Sequence, residues 1–556
     1  MEAIAAGPPL SSVDYVRSTT LAAFIAQVCA EHRYREALVF DDPLIGGQTV
    51  RWSYGELLTR SRAVARSLIA SKVRPGDRVA ILMANRPQAV AAFFGAAIAG
   101  AVVVPLSTFS TGPELATLLE LADPAVLLAQ TRMGNRDFAA DLDRAPCRVA
   151  AVGRDWDSFL DEGTEVPDAL LDDIQAELTP DSDGLVIFSS GTTARPKGVL
   201  HTQRAPTVQF WVQARLFGRT PATRMWTALP LFWTAGMNTA MGATLAAGGC
   251  WVMQEGFDPE HALRLMERER VTEPYTLPHQ ARALEEHSAW WTTDLSSLRQ
   301  VFGKSVFSRH PTVHGDPNWQ MPVGWGMSET CAFISAHPSD AGREAMRRSL
   351  GGIVPGAEIK VIDPGSGRVV ERCAEGELLV RGETLMKGYL GKDPAESFDA
   401  EGWLHTGDLG HLDDDGELHW TGRRTEMIRT GGANVSPAEI EVALRACPDV
   451  RLARVLGMPD ERLGQVAVLC VELTEGADAE SVRAFLRSRI ASYKVPKRIL
   501  VFGAGEIPLT RSGTKVRDDD LRRLVGPRLA GAGDEARGGM ITRKESGLNG
   551  RGPGDE

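Results

Sequence analysis

The uncharged run Ala89–Leu106 (AVAAFFGAAIAGAVVVPL) most restricts what this chain can fold into. Its eighteen residues sit at the edge of membrane-spanning length. It is rich in Ala and Gly, however, and ends in the β-branched VVVP. That change of texture fits a buried helix running straight into a buried strand, which requires helices packed on both faces of a parallel sheet.

The neighbouring segments agree. Ser53–Ser71 opens with Ser three residues before Glu56, a capping-box pattern, and continues with apolar spacing near 3.6. Strands are expected at Asp77–Met83, Ala125–Ala129, Gly184–Ser189, Arg224–Leu229 and Gly249–Met253. From Gly351 the pattern shortens: Gly376–Arg381 and Gly416–Trp420 read as antiparallel strands. Beyond Gly422 a second α/β pattern begins. Helices are expected at Ala438–Ala446 and Ala479–Ile490, and strands at Val450–Gly457 and Gln465–Leu473. The expected fold is α/β: a large N-terminal domain of helix-covered sheets with a short β-rich subdomain (1–424), hinged to a small α/β C-terminal domain (425–528). A Gly-rich polar tail (529–556) reads as disordered.

Composition removes several function classes. The 61 basic and 72 acidic residues leave a net charge of −11, without the basic footprint of a nucleic-acid binder. Seven cysteines, none close to another in sequence, suggest neither a disulfide framework nor a C-x-x-C metal site. Reduced thiols in a cytoplasmic protein are the plain reading. The N-terminus lacks the basic-then-apolar pattern of a signal peptide, and no membrane span is expected.

The most chemically specific segment is Ser189–Gly198, SSGTTARPKG, after the apolar LVIF. Backbone N–H groups, the hydroxyls of Ser189, Ser190, Thr192 and Thr193, and the charge of Lys197 are what a polyphosphate needs. Gly191 permits close backbone approach. It is not a P-loop, since Lys197 is followed by Gly. Gly303-Lys304-Ser305 is a decoy, because Leu298 stands where that motif's first Gly belongs.

SSGTTARPKG closely resembles the phosphate loop of the adenylate-forming superfamily of acyl-CoA synthetases, peptide-synthetase adenylation domains and luciferases. Further segments match in order. LPLFWTAG (229–236) resembles the acyl-pocket segment, with Trp233 for His. VFGKS (301–305) stands at the adenine turn. WGMSET (325–330) resembles the aromatic-Gly-x-Thr-Glu motif, and WLHTGD (403–408) matches without departure. GRRTEMIRTGGANVSPAEIE (422–441) matches the hinge and its following loop. PLTRSGTKVR (508–517) resembles the lysine motif, with one extra residue before Lys515.

The resemblance implies ATP-dependent activation of a carboxylic acid as acyl-adenylate, then thioester formation with coenzyme A. Ser189–Lys197 would hold the β- and γ-phosphates. Glu329 would carry Mg²⁺, and Ser328 would donate to the α-phosphate. Asp408 would accept from the ribose hydroxyls, and Arg423 would reach ribose or phosphate. Trp325 and the turn of Gly303, Lys304 and Ser305 would enclose adenine, with Gly326, Met327 and Trp420 beside it. Lys515 would bridge α-phosphate and carboxylate. Trp233, Met237, Phe302 and Gly324 would line the acyl pocket, and this bulk suggests an apolar, bulky or cyclic acid. Thr425 stands at the hinge, where Asp or Lys is usual, and Gly431 and Gly432 would admit the pantetheine arm. Thr425 and the stretched lysine motif raise the expectation that the two half-reactions are unevenly retained. Three functions stay open: acid:CoA ligase, adenylation with transfer to a separate carrier protein, and an inactive nucleotide-binding regulator.

Overall fold

The computed structural model describes residues 1–189, 196–303, 305–423, 427–503, 505–509 and 516–538, except for the side chains of Arg423 and of residues 530–538. The uncharged run is a helix, Pro87–Ile98, followed by the strand Val102–Pro105. Pro87 starts the helix where its missing N–H costs nothing. Gly95 lets it press onto the helix Tyr54–Ala70: an added Cβ would lie 2.7 Å from the Val64 side chain. That second helix begins with the expected capping box. The Glu56 N–H donates to Ser53 Oγ at 3.2 Å, and the Ser53 N–H donates to Glu56 Oε2 at 2.8 Å. Among the described residues no helix is long and apolar enough to cross a membrane.

Among the described residues, seven strands form the first sheet, in the order 388–389, 197–202, 183–189, 102–105, 78–82, 126–130, 148–152. The five from 183–189 to 148–152 are parallel, and 197–202 folds back antiparallel on 183–189, pairing Ser189 with Lys197. A second sheet runs 273–274, 224–227, 250–253, 36–42, 48–53, all parallel except the last hairpin. The main core fills the space around the helices Pro87–Ile98 and Tyr54–Ala70. The third sheet is antiparallel, as the shortened pattern after Gly351 suggests. It also recruits Ile4–Ala6 at its edge, which the sequence reading did not assign.

The small C-terminal domain has its own sheet. Val450–Asp460 and Gly464–Leu473 form a long hairpin flanked by Ile428–Thr430 and Arg498–Phe502. The helices Pro437–Leu444 and Ala479–Arg487 belong to the same domain, which keeps separate hydrophobic cores. The last helix, Asp518–Gly538, runs past Leu529, where the disordered tail was expected to begin. Good helix formers such as Ala532, Glu535 and Arg537 offset the glycines there. The expected junction at 424/425 and the hinge Thr425 lie outside the described residues, as do positions 539–556.

Candidate active site between the two domains

A cavity of about 900 Å³ lies between the large and small domains, with walls from both. Parallel strands put their C-terminal ends, and hence their exposed loops, on one side of a sheet. Ser189 closes one such strand, Asp183–Ser189, and lines the cavity. Its hydroxyl is buried and has no hydrogen-bond partner among the described residues. Lys197, the register partner of Ser189 on the next strand, also lines the cavity, its Nζ 4.8 Å from the centre of the Tyr389 ring. Ser190, Gly191, Thr192 and Thr193 lie outside the described residues.

Tyr389 also reaches the other side of the cavity. Its hydroxyl donates to Glu329 Oε1 at 2.9 Å. A short 3₁₀ turn, Ser328–Thr330, presents Glu329 and Ser328 to the cavity, next to Gly326 and Met327. At Gly326 any side chain is excluded, because a Cβ would fall 1.8 Å from the Ala332 carbonyl oxygen. The Ser328 carbonyl is held from behind, where His201 Nε2–H donates to it at 2.8 Å. Full burial pushes the His201 imidazole down to about 4, against the opposing pull of that carbonyl, so the ring is neutral near pH 7.

Asp408 lines the same cavity from the strand Leu404–Leu412, although its residue is only 3% exposed. Trp325, itself buried, donates its indole N–H to Asp408 Oδ2 at 2.9 Å. Trp325 does not line the cavity; its indole holds the aspartate in place from behind. Arg423 pairs with Asp408 in strand register, so its backbone runs alongside.

The small domain contributes Arg429, Gly432, Asn434 and Lys494. Arg429 stacks its guanidinium over Trp420 of the large domain at 5.0 Å. Trp420 itself is not a lining residue. Gly431 and Gly432, with φ of 56° and 88°, make the turn between Ile428–Thr430 and Ala433–Val435. A Cβ on Gly432 would meet Leu277 of the large domain at 2.5 Å, so glycine lets this turn dock closely.

The expected acyl-pocket residues are not gathered in one place. Trp233 lines the cavity and packs edge-on against Phe109 and Phe232, with centroids at 6.0 and 6.1 Å. Met237 is buried in the main core, on the π-helical segment Ala235–Gly242. Neither Phe302 nor Gly324 lines the cavity. A Cβ on Gly324 would lie 2.3 Å from the Ser335 carbonyl oxygen. Gly303 and Ser305 also lie off the cavity wall, Gly303 against the Arg343 guanidinium. Lys304 and Lys515 are outside the described residues. Sequence reasoning missed Tyr389, His201 and Lys494. Only the KGY segment around Tyr389, next to a paired strand, carried any local signal.

A large α/β domain and a small one enclose a cavity between them, the layout of a two-domain protein with an interfacial site. The chain belongs to the AMP-binding enzyme family: the family's model matches residues 25–390, and the model of the AMP-binding enzyme C-terminal domain matches residues 439–514. It is 34% identical over 484 residues to indoleacetate–CoA ligase of Aromatoleum aromaticum, covering 85% of this chain and 93% of that one. The amide bond synthetase McbA from Marinactinospora thermotolerans superposes with a TM-score of 0.73 at 29% identity, over 91% of this chain and 99% of that one. The o-succinylbenzoate CoA synthetase of Bacillus subtilis, as a double mutant bound with its product analogue OSB-NCoA, superposes at 0.70, with 26% identity over 89% of this chain and 97% of that one. The same enzyme in complex with its acyl-adenylate intermediate OSB-AMP superposes at 0.56, with the same identity and coverage.

Proposed function

We propose that this chain is an AMP-forming acid:CoA ligase acting on a small carboxylic acid with an apolar ring. A carboxylate oxygen of the acid attacks the α-phosphorus of ATP, and the bond to the β-phosphate breaks to release pyrophosphate. The thiol sulfur of coenzyme A then attacks the acyl carbonyl carbon. The bond to AMP breaks, and the thiol proton is released. Both steps bring anions together, so positioning and charge compensation dominate.

In this reading Ser189, with its unpartnered buried hydroxyl, and Lys197 receive the departing phosphates, together with Ser190, Gly191, Thr192 and Thr193. Asp408, buried and braced by Trp325, accepts from the ribose hydroxyls. Ser328 approaches the α-phosphate, held by His201 behind it. Arg423 and Lys515 add positive charge from the hinge side and from the small domain. Among the described residues no cluster of three or more His, Cys, Asp or Glu side chains could hold a metal alone. A single carboxylate, Glu329, suits Mg²⁺ shared with nucleotide phosphates and water. Such an ion supplies charge compensation at the phosphates.

The likeness to indoleacetate–CoA ligase supports coenzyme A as the acceptor, and one further observation bears on the pose of the two domains. The whole chain superposes better on a CoA synthetase bound with its product analogue than on the same enzyme bound with its acyl-adenylate intermediate (TM-scores 0.70 and 0.56), which supports a domain arrangement nearer the former. Gly432, of the Gly431–Gly432 turn, lines the cavity, and a pantetheine arm would pass beside it. The aromatic cluster of Trp233, Phe109 and Phe232 supports a ring-bearing acid. The buried thiols suit a reducing compartment such as the cytoplasm.

An acid panel with ATP and Mg²⁺, read by mass with and without CoA, tests the proposal. AMP together with one aromatic acyl-CoA is the expected result. Adenylate that accumulates without reacting with CoA would move the acceptor to a carrier-protein thiol.

A further inference from the structure

One contact between the domains has no part in the chemistry above. The helix Gly112–Ala122 of the large domain begins beside the cavity, with Thr111 as its N-cap. Glu114 reaches back over this helix start. Its Oε2 accepts from the Thr111 backbone N–H at 2.8 Å and lies 3.0 Å from the Thr111 hydroxyl. Its other oxygen, Oε1, accepts from Lys494 Nζ of the small domain at 3.0 Å. The same ammonium donates to Glu439 Oε1 at 2.5 Å, on the small-domain helix Pro437–Leu444. The side chains of Lys494, Glu114 and Glu439 are 12%, 13% and 13% exposed, so water screens this triad little.

Neighbouring contacts join the same two surfaces. The Thr111 hydroxyl lies 3.0 Å from the Arg489 carbonyl oxygen, giving its single proton a second acceptor across the boundary. Tyr493, beside Lys494, sets its ring edge-on to Phe109 at 6.2 Å, and Phe109 packs against Trp233.

We propose that Lys494 is a positioning residue, the bolt of a charge latch between Glu114 and Glu439 that holds the small domain in the thioester-forming pose. The proposal rests on the ligase reading. Lys494 and Glu439 belong to one domain and travel together, so a swing of the small domain breaks only the bond to Glu114. Without the ammonium, two largely buried carboxylates face each other across the domain boundary and repel. The bridge therefore favours one pose specifically and does not merely add general stability.

The two half-reactions are measured separately on the full-length enzyme. Adenylation is followed by pyrophosphate exchange. Thioester formation is followed by a single turnover of preformed acyl-adenylate with CoA. In K494M and E114Q the thioester step should slow roughly tenfold relative to pyrophosphate exchange, as a loss of about 1.4 kcal/mol from one pose would do. K494R, which can bridge two carboxylates with its fork, should recover most of the loss. E114Q changes the charge with little change of shape, so it decides the matter if K494M does not fold. Equal losses in both half-reactions, or an unchanged thioester rate in E114Q, would overturn the latch. Wild-type enzyme that makes adenylate but no thioester would instead refute the ligase reading on which it stands.

Discussion

Tyr389→Phe isolates one hydrogen bond in the proposed phosphate site. The substitution removes the hydroxyl that donates to Glu329 Oε1 at 2.9 Å and leaves the ring over which Lys197 sits at 4.8 Å. A hydrogen bond to a charged acceptor contributes about 1.5–3 kcal/mol. Tyr389 is half-buried, which places the loss near the lower end, about 1.5 kcal/mol, or roughly tenfold in the rate of adenylation. Tyr389→Ala also removes the cation–π contact, worth about 0.5–1 kcal/mol more, or a further two- to fivefold. Pyrophosphate exchange titrated with Mg²⁺ at saturating ATP and acid is the assay. Because the hydroxyl steadies the carboxylate assigned to the metal, the Phe variant should be weakest at limiting Mg²⁺ and partly recover at excess. Wild-type rates at every Mg²⁺ concentration, or identical losses in the Phe and Ala variants, would refute the reasoning.

Three further outcomes are expected. Asp408→Asn keeps an acceptor for the Trp325 indole but loses the charge; KM for ATP should rise about tenfold while KM for the acid holds, read from initial-rate kinetics. His201 has an ordinary value of 6.5 and lies at about 4 in the folded chain, so below pH 6.5 the unfolded chain takes up a proton that the folded chain refuses. Its contribution to stability is therefore complete above pH 6.5 and falls by about 3 kcal/mol as pH drops to 4; denaturant titrations at pH 7 and 4.5 should show that slope, and His201→Gln should flatten it. Cys373 is exposed, whereas burial pushes Cys29, Cys250, Cys331 and Cys470 up to about 12. A thiol reagent at pH 8 should therefore label Cys373 first by intact mass, and fast labelling of Cys331 would contradict the packing.

Local signals carried far in this chain. The change from Ala/Gly to β-branched residues within Ala89–Leu106 marks where helix gives way to strand, and the structure places that change at Ala99–Ala101. Ser53 and Glu56, three apart, close the capping box because both bonds lie within one turn. The motif residues Ser328, Glu329 and Asp408 all reach one cavity. What stayed hidden was partnership at a distance. Tyr389 meets Glu329 across 60 residues, Trp325 meets Asp408 across 83, and Lys494 meets Glu114 across 380. Periodicity and caps record a residue's own element, not which remote element arrives beside it. The bond from the Trp325 indole to Asp408 was hidden in the same way, since the motif placed Trp325 only against adenine. The strand Ile4–Ala6 was missed for the same reason: three residues carry no period, and its partner Ala357–Ile362 is far along the chain.

The two oxygens of Glu114 face different ways, one toward its own helix start and one toward the other domain. When the domains part, Glu114 keeps the Thr111 amide and Lys494 keeps Glu439, so separation strands no lone charge in a dry interface. An ion pair whose members each retain a second partner is a shallow well. Two poses separated by only about 1.4 kcal/mol stay within tenfold of each other in population. A catalyst that must visit both arrangements in every cycle needs such a balance, since a deeper hold on either would make the swing itself the slow event.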